Sequence, residues 1–510
     1  MKRTFVLIVL DGWGIGRNDD SNPIYVVKPE TLLWLEDNFP VTSLQASGIS
    51  VGLPWGEVGN SEVGHLTLGA GKIIYQYYPR ITLAIRDGGF FSNAALKGAF
   101  EHARKNNSSV NLIGLLSKGN VHASLEHLLA LIQMAEKEKI PVKLQLFPDG
   151  KDYPPMTLGV ILDKLPKEKI GSLIGRYYAM DREGNWQLTK QAYDTMVSGA
   201  GETKFEDLAG IIKNTYQKNA TEEFLPPLSF GKEKLIKDGD AIIFFNYRED
   251  SIRQIAESFI VKNFDKFPRA DFKNLYIATF SPYRDDFKVP VAFPPEDVTS
   301  PLGKTLSDAG KNQLRLSESY KYAHVTYFFN GLYEPPFKNE YRVLVPSEPL
   351  PHPDVHPQMM AVSIADRLIE SVQSQTFDFI LVNFANGDTI AHSGNYDACL
   401  EAVREIDREL GRIMKTAFGA QSVIMITSDH GNMEEVIDQN TGRIETQHDP
   451  NPVPFYLIAP EFKGRKFSNQ ETRGTETAGI LSDVAPTILE LMGVAKPDDM
   501  TGESLLKNLI

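Results

Sequence analysis

The chain has 510 residues, 53 of them Lys or Arg and 66 Asp or Glu, for a net charge of -13. That length exceeds one ordinary core and implies two or more domains. The acidic balance argues against a nucleic-acid binder, and it requires any anionic substrate to be gathered by a local cluster of Arg and Lys.

Hydrophobic residues make up 42% of the chain, so all of it is expected to fold. The single cysteine, Cys399, excludes an intramolecular disulfide framework and suits a reducing, cytoplasmic setting. No stretch approaches the roughly 20 apolar residues of a membrane span. The first apolar run, Phe5–Leu10 after Met-Lys-Arg, faintly mimics a signal peptide. It stops at Asp11-Gly12 without a cleavage site, so a buried strand is expected. Gly56-Glu-Val-Gly-Asn-Ser-Glu-Val-Gly-His65 follows, with Ser61 placed to open a helix. A helix N-terminus offers free N–H groups to a phosphate. A serine hydroxyl becomes a nucleophile when a base or metal lowers its pKa, and otherwise the segment is a helix cap in a Gly-rich turn.

Three apolar runs follow in the middle of the chain. Val110–Leu116 leads into Ser117-Lys-Gly-Asn-Val-His122, residues 142–147 lead into Pro148-Asp-Gly-Lys-Asp152, and residues 241–247 lead into Arg248. Further on, Phe379–Phe384 leads into Asp388 and His392, and residues 422–428 deliver Asp429, His430, Gly431 and Asn432. In open α/β sheets the functional crevice lies outside the carboxyl ends of the strands, so such groups converge across long sequence gaps. Asp388 and His392, four apart, share one helix face, and His448 completes a set of two histidines and one carboxylate. Asp11, Asp429 and His430 supply a second set. Such mixtures suit zinc, manganese and related ions better than calcium or magnesium.

Alternation of strand-length runs with amphipathic stretches indicates an α/β protein with largely parallel sheets. Both chain ends share the metal-type chemistry. One domain is therefore expected from residues 1–76 and 299–510, with a second, residues 77–298, inserted into it. Two short linkers side by side would form a hinge.

The chain resembles the 2,3-bisphosphoglycerate-independent phosphoglycerate mutases of the alkaline phosphatase superfamily. The resemblance rests on Leu10-Asp-Gly-Trp-Gly14, Gly59-Asn-Ser-Glu-Val-Gly-His65, Gly175-Arg-Tyr-Tyr-Ala-Met-Asp-Arg182, Glu318-Ser-Tyr-Lys-Tyr-Ala-His-Val-Thr326, Asn383-Phe-Ala-Asn386 and Ser428-Asp-His-Gly-Asn432. It implies an alkaline-phosphatase-like metal domain carrying an inserted substrate domain. It also implies interconversion of 3- and 2-phosphoglycerate through a phosphoserine on Ser61. Two divalent ions are implied, manganese foremost, with zinc, cobalt or magnesium as alternatives. One would be held by Asp388, His392 and His448, the other by Asp11, Ser61, Asp429 and His430. His122, Asp152, Arg176, Arg182 and Arg248 match positions that hold phosphoglycerate, and Lys321 matches a lysine that reaches the phosphate. Asp152, aided by His122, is the expected proton carrier, and closure of the inserted domain is expected to exclude water. The implied partner is a small molecule, with neither nucleic acid nor membrane, and the implied state is a monomer.

The chain also departs from that pattern. Lys151 stands where the family usually has arginine, and so does Ser251; Gly119-Asn120 and Thr446-Gln-His-Asp449 differ as well. Lys151 keeps the charge but loses the bidentate fork. Arg253 is no automatic replacement for Ser251, because two residues along a helix turn the side chain by about 200°. A metal-dependent phosphatase on the same fold, or a mutase for another phosphorylated metabolite, remains the alternative. A non-enzymatic relative would show broken ligands, and none is broken. Cys399 is expected to be buried and inert.

Overall fold

The computed structural model describes residues 3–438, 441–472 and 474–510, so Met1 and Lys2 lie outside the described residues. In chain order the strands are β1 (Phe5–Leu10), β2 (Val41–Gln45), β3 (Val110–Leu116), β4 (Val142–Pro148), β5 (Ile170–Leu173), β6 (Leu228–Ser229), β7 (Ala241–Phe244), β8 (Tyr276–Thr279), β9 (Gln313–Glu318), β10 (Glu340–Val345), β11 (Phe379–Phe384), β12 (Val423–Thr427), β13 (Val453–Ile458) and β14 (Gly479–Ile480). They form two sheets, ordered β10-β9-β11-β1-β12-β13-β2-β14 and β6-β5-β4-β3-β7-β8. The chain divides into two compact units, Met1–Gln76 with Glu296–Ile510, and Tyr77–Pro295, each holding one sheet. The return to the first unit falls at Glu296, ahead of the expected 299. Lys72 Nζ donates to Asp297 O (3.1 Å) and Thr299 Oγ1 to Asp499 (2.6 Å), which ties this stretch to the first unit.

In the first unit β1 lies between β11 and β12, parallel to both, with Leu10 opposite Phe384 and Val9 opposite Thr427. Its continuous apolar run is what a strand covered on both faces requires. Val6, Ile8 and Leu10 pack into one core, and Leu7 and Val9 into the core on the opposite face. The helix Tyr396–Gly419 covers the first of these faces. Its buried Cys399, Ala402, Val403, Ile406, Leu410 and Ile413 recur at helical spacing. Burial pushes the Cys399 thiol up to about 12, so it stays protonated at neutral pH. Among the described residues no helix is long and apolar enough to cross a membrane.

In the second unit β3 is central, parallel to β4 and β7. The run expected to continue to 247 leaves the ladder after Phe244. Phe245 N still reaches Ile113 O (3.0 Å), but Asn246 then turns its Oδ1 onto Leu115 N (2.9 Å), so a side chain replaces the backbone partner. His127, on the helix Leu125–Glu138, is fully buried and paired with Thr82 Oγ1 at 3.0 Å. Burial pushes its imidazole from 6.5 down to about 3. As pH falls below 6.5 the unfolded chain takes up a proton that the folded chain refuses until about 3. Stability from this group is therefore full above that window and declines by about 1.4 kcal/mol per pH unit within it. His127→Gln is expected to flatten the fall of the unfolding midpoint between pH 6 and pH 4. An unchanged slope in thermal melts would remove His127 as the cause.

Candidate active site

The strand ends of the first unit bring the predicted ligands together. Asp11 follows β1, and its carbonyl accepts from Asp388 N at 2.9 Å. Gly12 sits there at φ +70°, and a Cβ on it would lie 2.8 Å from Asp388 Cα, so only glycine lets these two segments touch. The helix Ser61–Ala70 begins at Ser61, with the Asn60 side chain capping Val63 N at 3.0 Å. Gly64 lets this helix settle on Asp429, since a Cβ there would come within 2.5 Å of Asp429 O.

One set of ligands is Asp388, His392 and His448. Asp388 Oδ1 lies 3.1 Å from Nε2 of each histidine, and the two Nε2 atoms are 3.0 Å apart. Each Nδ1 faces a backbone carbonyl at 2.8 Å, Thr446 O for His392 and Gly59 O for His448. Nδ1–H therefore donates outward and the Nε2 lone pairs converge, which is how metal-ligating histidines are oriented. Two such lone pairs at that separation repel unless a cation lies between them. The donor set fits a divalent ion.

In the second set Ser61 Oγ donates to Asp11 Oδ1 (3.1 Å) and lies 2.9 Å from His430 Nε2. Ligand atoms of Asp11, Asp388 and His430 fall within 4.8 Å of one another, and so do those of Asp11, His65 and Asp429. His65 was not among the expected ligands. Its Nδ1 is 3.1 Å from Asp429 Oδ2 and 2.9 Å from Ser61 O. Its place four residues after Ser61, on the same helix face, was the available signal. Asn383 is a further support, donating Nδ2–H to Asp11 Oδ2 at 2.6 Å. Groups that orient metal ligands typically contribute 10- to 100-fold in affinity. Asn383→Ala is expected to weaken binding of a divalent ion by roughly that factor. Titration calorimetry checks this, and wild-type affinity would sink it.

Lys321 is buried among these groups, its Nζ donating to Asp11 Oδ1, Ser61 Oγ and Asp388 Oδ2, each at 2.6 Å. Burial pulls its pKa down, but Asp11, Asp388 and Asp429 outweigh this and hold it above the ordinary lysine value. Burial pushes Asp388 up, yet the Lys321 ammonium holds its carboxyl well below the usual range. Asp429 is likewise held low by His430 and His65 against burial. Asp11, fully buried and facing Asp429, is raised.

The second unit carries a separate polar cluster at the ends of β3, β4 and β7. His122 Nδ1 is 2.7 Å from Asp152 Oδ2, and Arg176 donates to Asp152 Oδ1 (2.9 Å) and Asp149 Oδ1 (2.6 Å). Burial pushes Asp152 up, but the His122 bond and the Arg176 guanidinium hold its carboxyl below the usual range. Arg182 and Arg248 converge on Asp250, which sequence reasoning passed over along with Asp149. Lys151 is exposed and its side chain enters none of these bonds. Ser251 is buried and donates to Asp250 Oδ1 at 3.1 Å. Arg253 turns away, its Nε donating to Tyr283 O at 2.8 Å.

Carboxylates and histidines gathered at the carboxyl ends of a mostly parallel sheet, around a serine at a helix N-terminus, define a metal-dependent enzyme of the metalloenzyme superfamily, whose family model matches residues 3–496. The chain is 42% identical to the 2,3-bisphosphoglycerate-independent phosphoglycerate mutase of Thermomicrobium roseum, covering 98% of this chain and 97% of that one. It is 40% identical to the enzyme of the same name from Clostridium acetobutylicum, covering 99% and 100%. Among solved structures it is similar to Leishmania mexicana phosphoglycerate mutase at low cobalt concentration. The TM-score there is 0.54, with 26% identity, 100% of this chain covered and 98% of that one. The chain belongs to the 2,3-bisphosphoglycerate-independent phosphoglycerate mutase family.

Proposed function

We propose that the protein interconverts 3-phosphoglycerate and 2-phosphoglycerate through a phosphoserine on Ser61, without bisphosphoglycerate. The observation that carries this reading is the environment of Ser61 Oγ, which faces His430 Nε2 at 2.9 Å and Lys321 Nζ at 2.6 Å at the start of a helix. Two divalent ions are proposed, manganese foremost, held by Asp388, His392 and His448, and by Asp11, Ser61, Asp429 and His430. Bound there, they supply charge neutralisation at the transferring phosphoryl group and a lowered pKa at the serine hydroxyl.

Ser61 Oγ attacks phosphorus in line, forming the Oγ–P bond as the bond to the glycerate oxygen breaks. Lys321 offers fixed positive charge to the phosphoryl oxygens, a contribution that a preorganised donor makes at little reorganisation cost. Arg176, Arg182 and Arg248 are the candidate holders of the glycerate, because guanidinium forks match a carboxylate bidentately. The released glycerate oxygen takes up a proton, and the other hydroxyl gives one up before it takes the phosphoryl group back. The His122–Asp152 pair is the proposed carrier: it gives a proton to the released oxygen and recovers one from the other hydroxyl. A monomeric, cytoplasmic enzyme with a small-molecule substrate completes the proposal.

The test is an assay with 3-phosphoglycerate and manganese, without bisphosphoglycerate, recording 2-phosphoglycerate and free phosphate together. Isomerisation with little phosphate supports the mutase, with Lys151 and Ser251 tolerated. Phosphate alone would overturn it in favour of a phosphatase or a mutase for another compound.

A further inference from the structure

The cluster in the second unit holds a carboxylate of the protein's own where an incoming one would be bound. Asp250 Oδ2 accepts from Arg182 Nη1 at 3.0 Å and from Arg248 Nε at 3.2 Å, and Arg248 Nη2 lies 3.1 Å away as an ion pair. Its Oδ1 lies 3.2 Å from His122 Nε2 and 3.1 Å from Ser251 Oγ. Both Arg248 nitrogens thus face one carboxylate oxygen, Oδ2, and do not form the two-oxygen fork that binds a carboxylate most strongly.

We propose that Asp250 is an internal competitor for the substrate's carboxylate: it occupies the Arg182 and Arg248 donors in the free protein and is displaced when the glycerate binds. The inference rests on the mutase reading and sets how strongly this chain holds its substrate.

Charge and mobility both support exchange. Arg176 faces two carboxylates, Asp149 and Asp152, whereas Arg182 and Arg248 share one, Asp250. An incoming carboxylate therefore meets Asp250 on both of these guanidiniums and gains their full charge only when Asp250 withdraws. Asp149 cannot do so. Its side chain is only 3% exposed, and it is fixed by Arg176, by Ser117 Oγ at 2.5 Å and by the backbone N–H groups of Lys151 and Asp152. Asp152 is committed to His122 and Arg176.

Asp250 differs. It lies between the end of β7 and the helix Arg253–Ile260, its side chain is 26% exposed, and its two arginines are 54% and 50% exposed. Burial pushes its carboxyl up, but His122 and Arg248 hold it below the ordinary value, so it is ionised when it competes. It lies two positions along the chain from Arg248, so its local concentration at that guanidinium is high. A site competent for only a fraction of the time binds its ligand more weakly by that fraction. Removing the competitor recovers the loss.

Asp250→Asn keeps the shape and removes the charge. It is expected to lower KM for 3-phosphoglycerate about threefold or more and to raise kcat/KM, the competent fraction having grown. D-glycerate, which carries the carboxylate alone, binds more tightly in calorimetry by the same factor, whereas glycerol 1-phosphate, which lacks it, does not. A brace for the arginines predicts the opposite, a raised KM and weaker glycerate binding. That result, or unchanged values in both Asp250→Asn and Asp250→Ala, overturns the proposal. Glycerate calorimetry reads the competition without turnover. A wild-type protein that binds glycerate but does not isomerise phosphoglycerate would therefore sink the mutase reading alone.

Discussion

Ser61→Ala is expected to lose at least roughly a thousandfold in isomerisation rate, since removing a covalent nucleophile removes the pathway it serves. The fold should tolerate the change. Asn60, not Ser61, caps the helix, and the alanine keeps the Cβ that packs at its first turn. The lost contacts are those of Oγ with Asp11, His430 and Lys321, and the carboxylates and histidines of both metal sets are themselves unchanged. Acid-quenched protein incubated with radiolabelled phosphoglycerate should carry covalent phosphate in the wild type and none in the variant. A variant within tenfold of wild type, or one still labelled, would place the phosphoryl group on another residue.

Lys321→Met should have the largest effect on stability, and that effect should depend on metal. The ammonium sits at 2.6 Å from both Asp11 and Asp388, and all three groups are buried. Breaking a buried ion pair from one side typically costs about 3–5 kcal/mol, because the remaining charge is left uncompensated. In EDTA the variant should therefore melt well below wild type. Manganese ions, held by the same carboxylates, would supply the missing positive charge and shrink the gap. Thermal melts with chelator and with manganese decide this. Equal destabilisation in both would mean that Lys321 acts by packing instead of charge. Activity should fall even with manganese present, since the ammonium is the proposed donor to the phosphoryl oxygens.

Much of this architecture could be read along the chain, and the reasons are local. Phe5–Leu10, Val110–Leu116 and Phe379–Phe384 are strands over the residues expected. Each is a mostly apolar run, interrupted at most by one asparagine, as a strand covered on both faces requires. The pairing of Asp388 with His392 followed from helical spacing, and the short helix Asn386–Ala391 places them one turn apart. Periodicity and strand-end chemistry are short-range properties, so they survive in a single sequence.

The residues that were missed have no such local mark. Asp250 reads as one more acid in Arg248-Glu-Asp-Ser251, and its importance comes from Arg182 and His122, which are brought to it by other strand ends. His65 likewise reads as the end of a Gly-rich motif until the helix Ser61–Ala70 sets it against Asp429. The end of β7 at Phe244 was hidden for the same reason, because the Asn246 side chain takes the Leu115 N–H that a continuing strand's backbone would have accepted.

Residue types and their spacing were enough to determine the α/β class, most of the central strands and the candidate metal ligands, because each is written within a few residues. Which carboxylate faces which cation, and that Lys321 bridges Asp11, Ser61 and Asp388, depended on the folded chain. Electrostatic interaction falls with distance through space, and separation along the sequence says nothing about that distance until the sheet has brought the strand ends together.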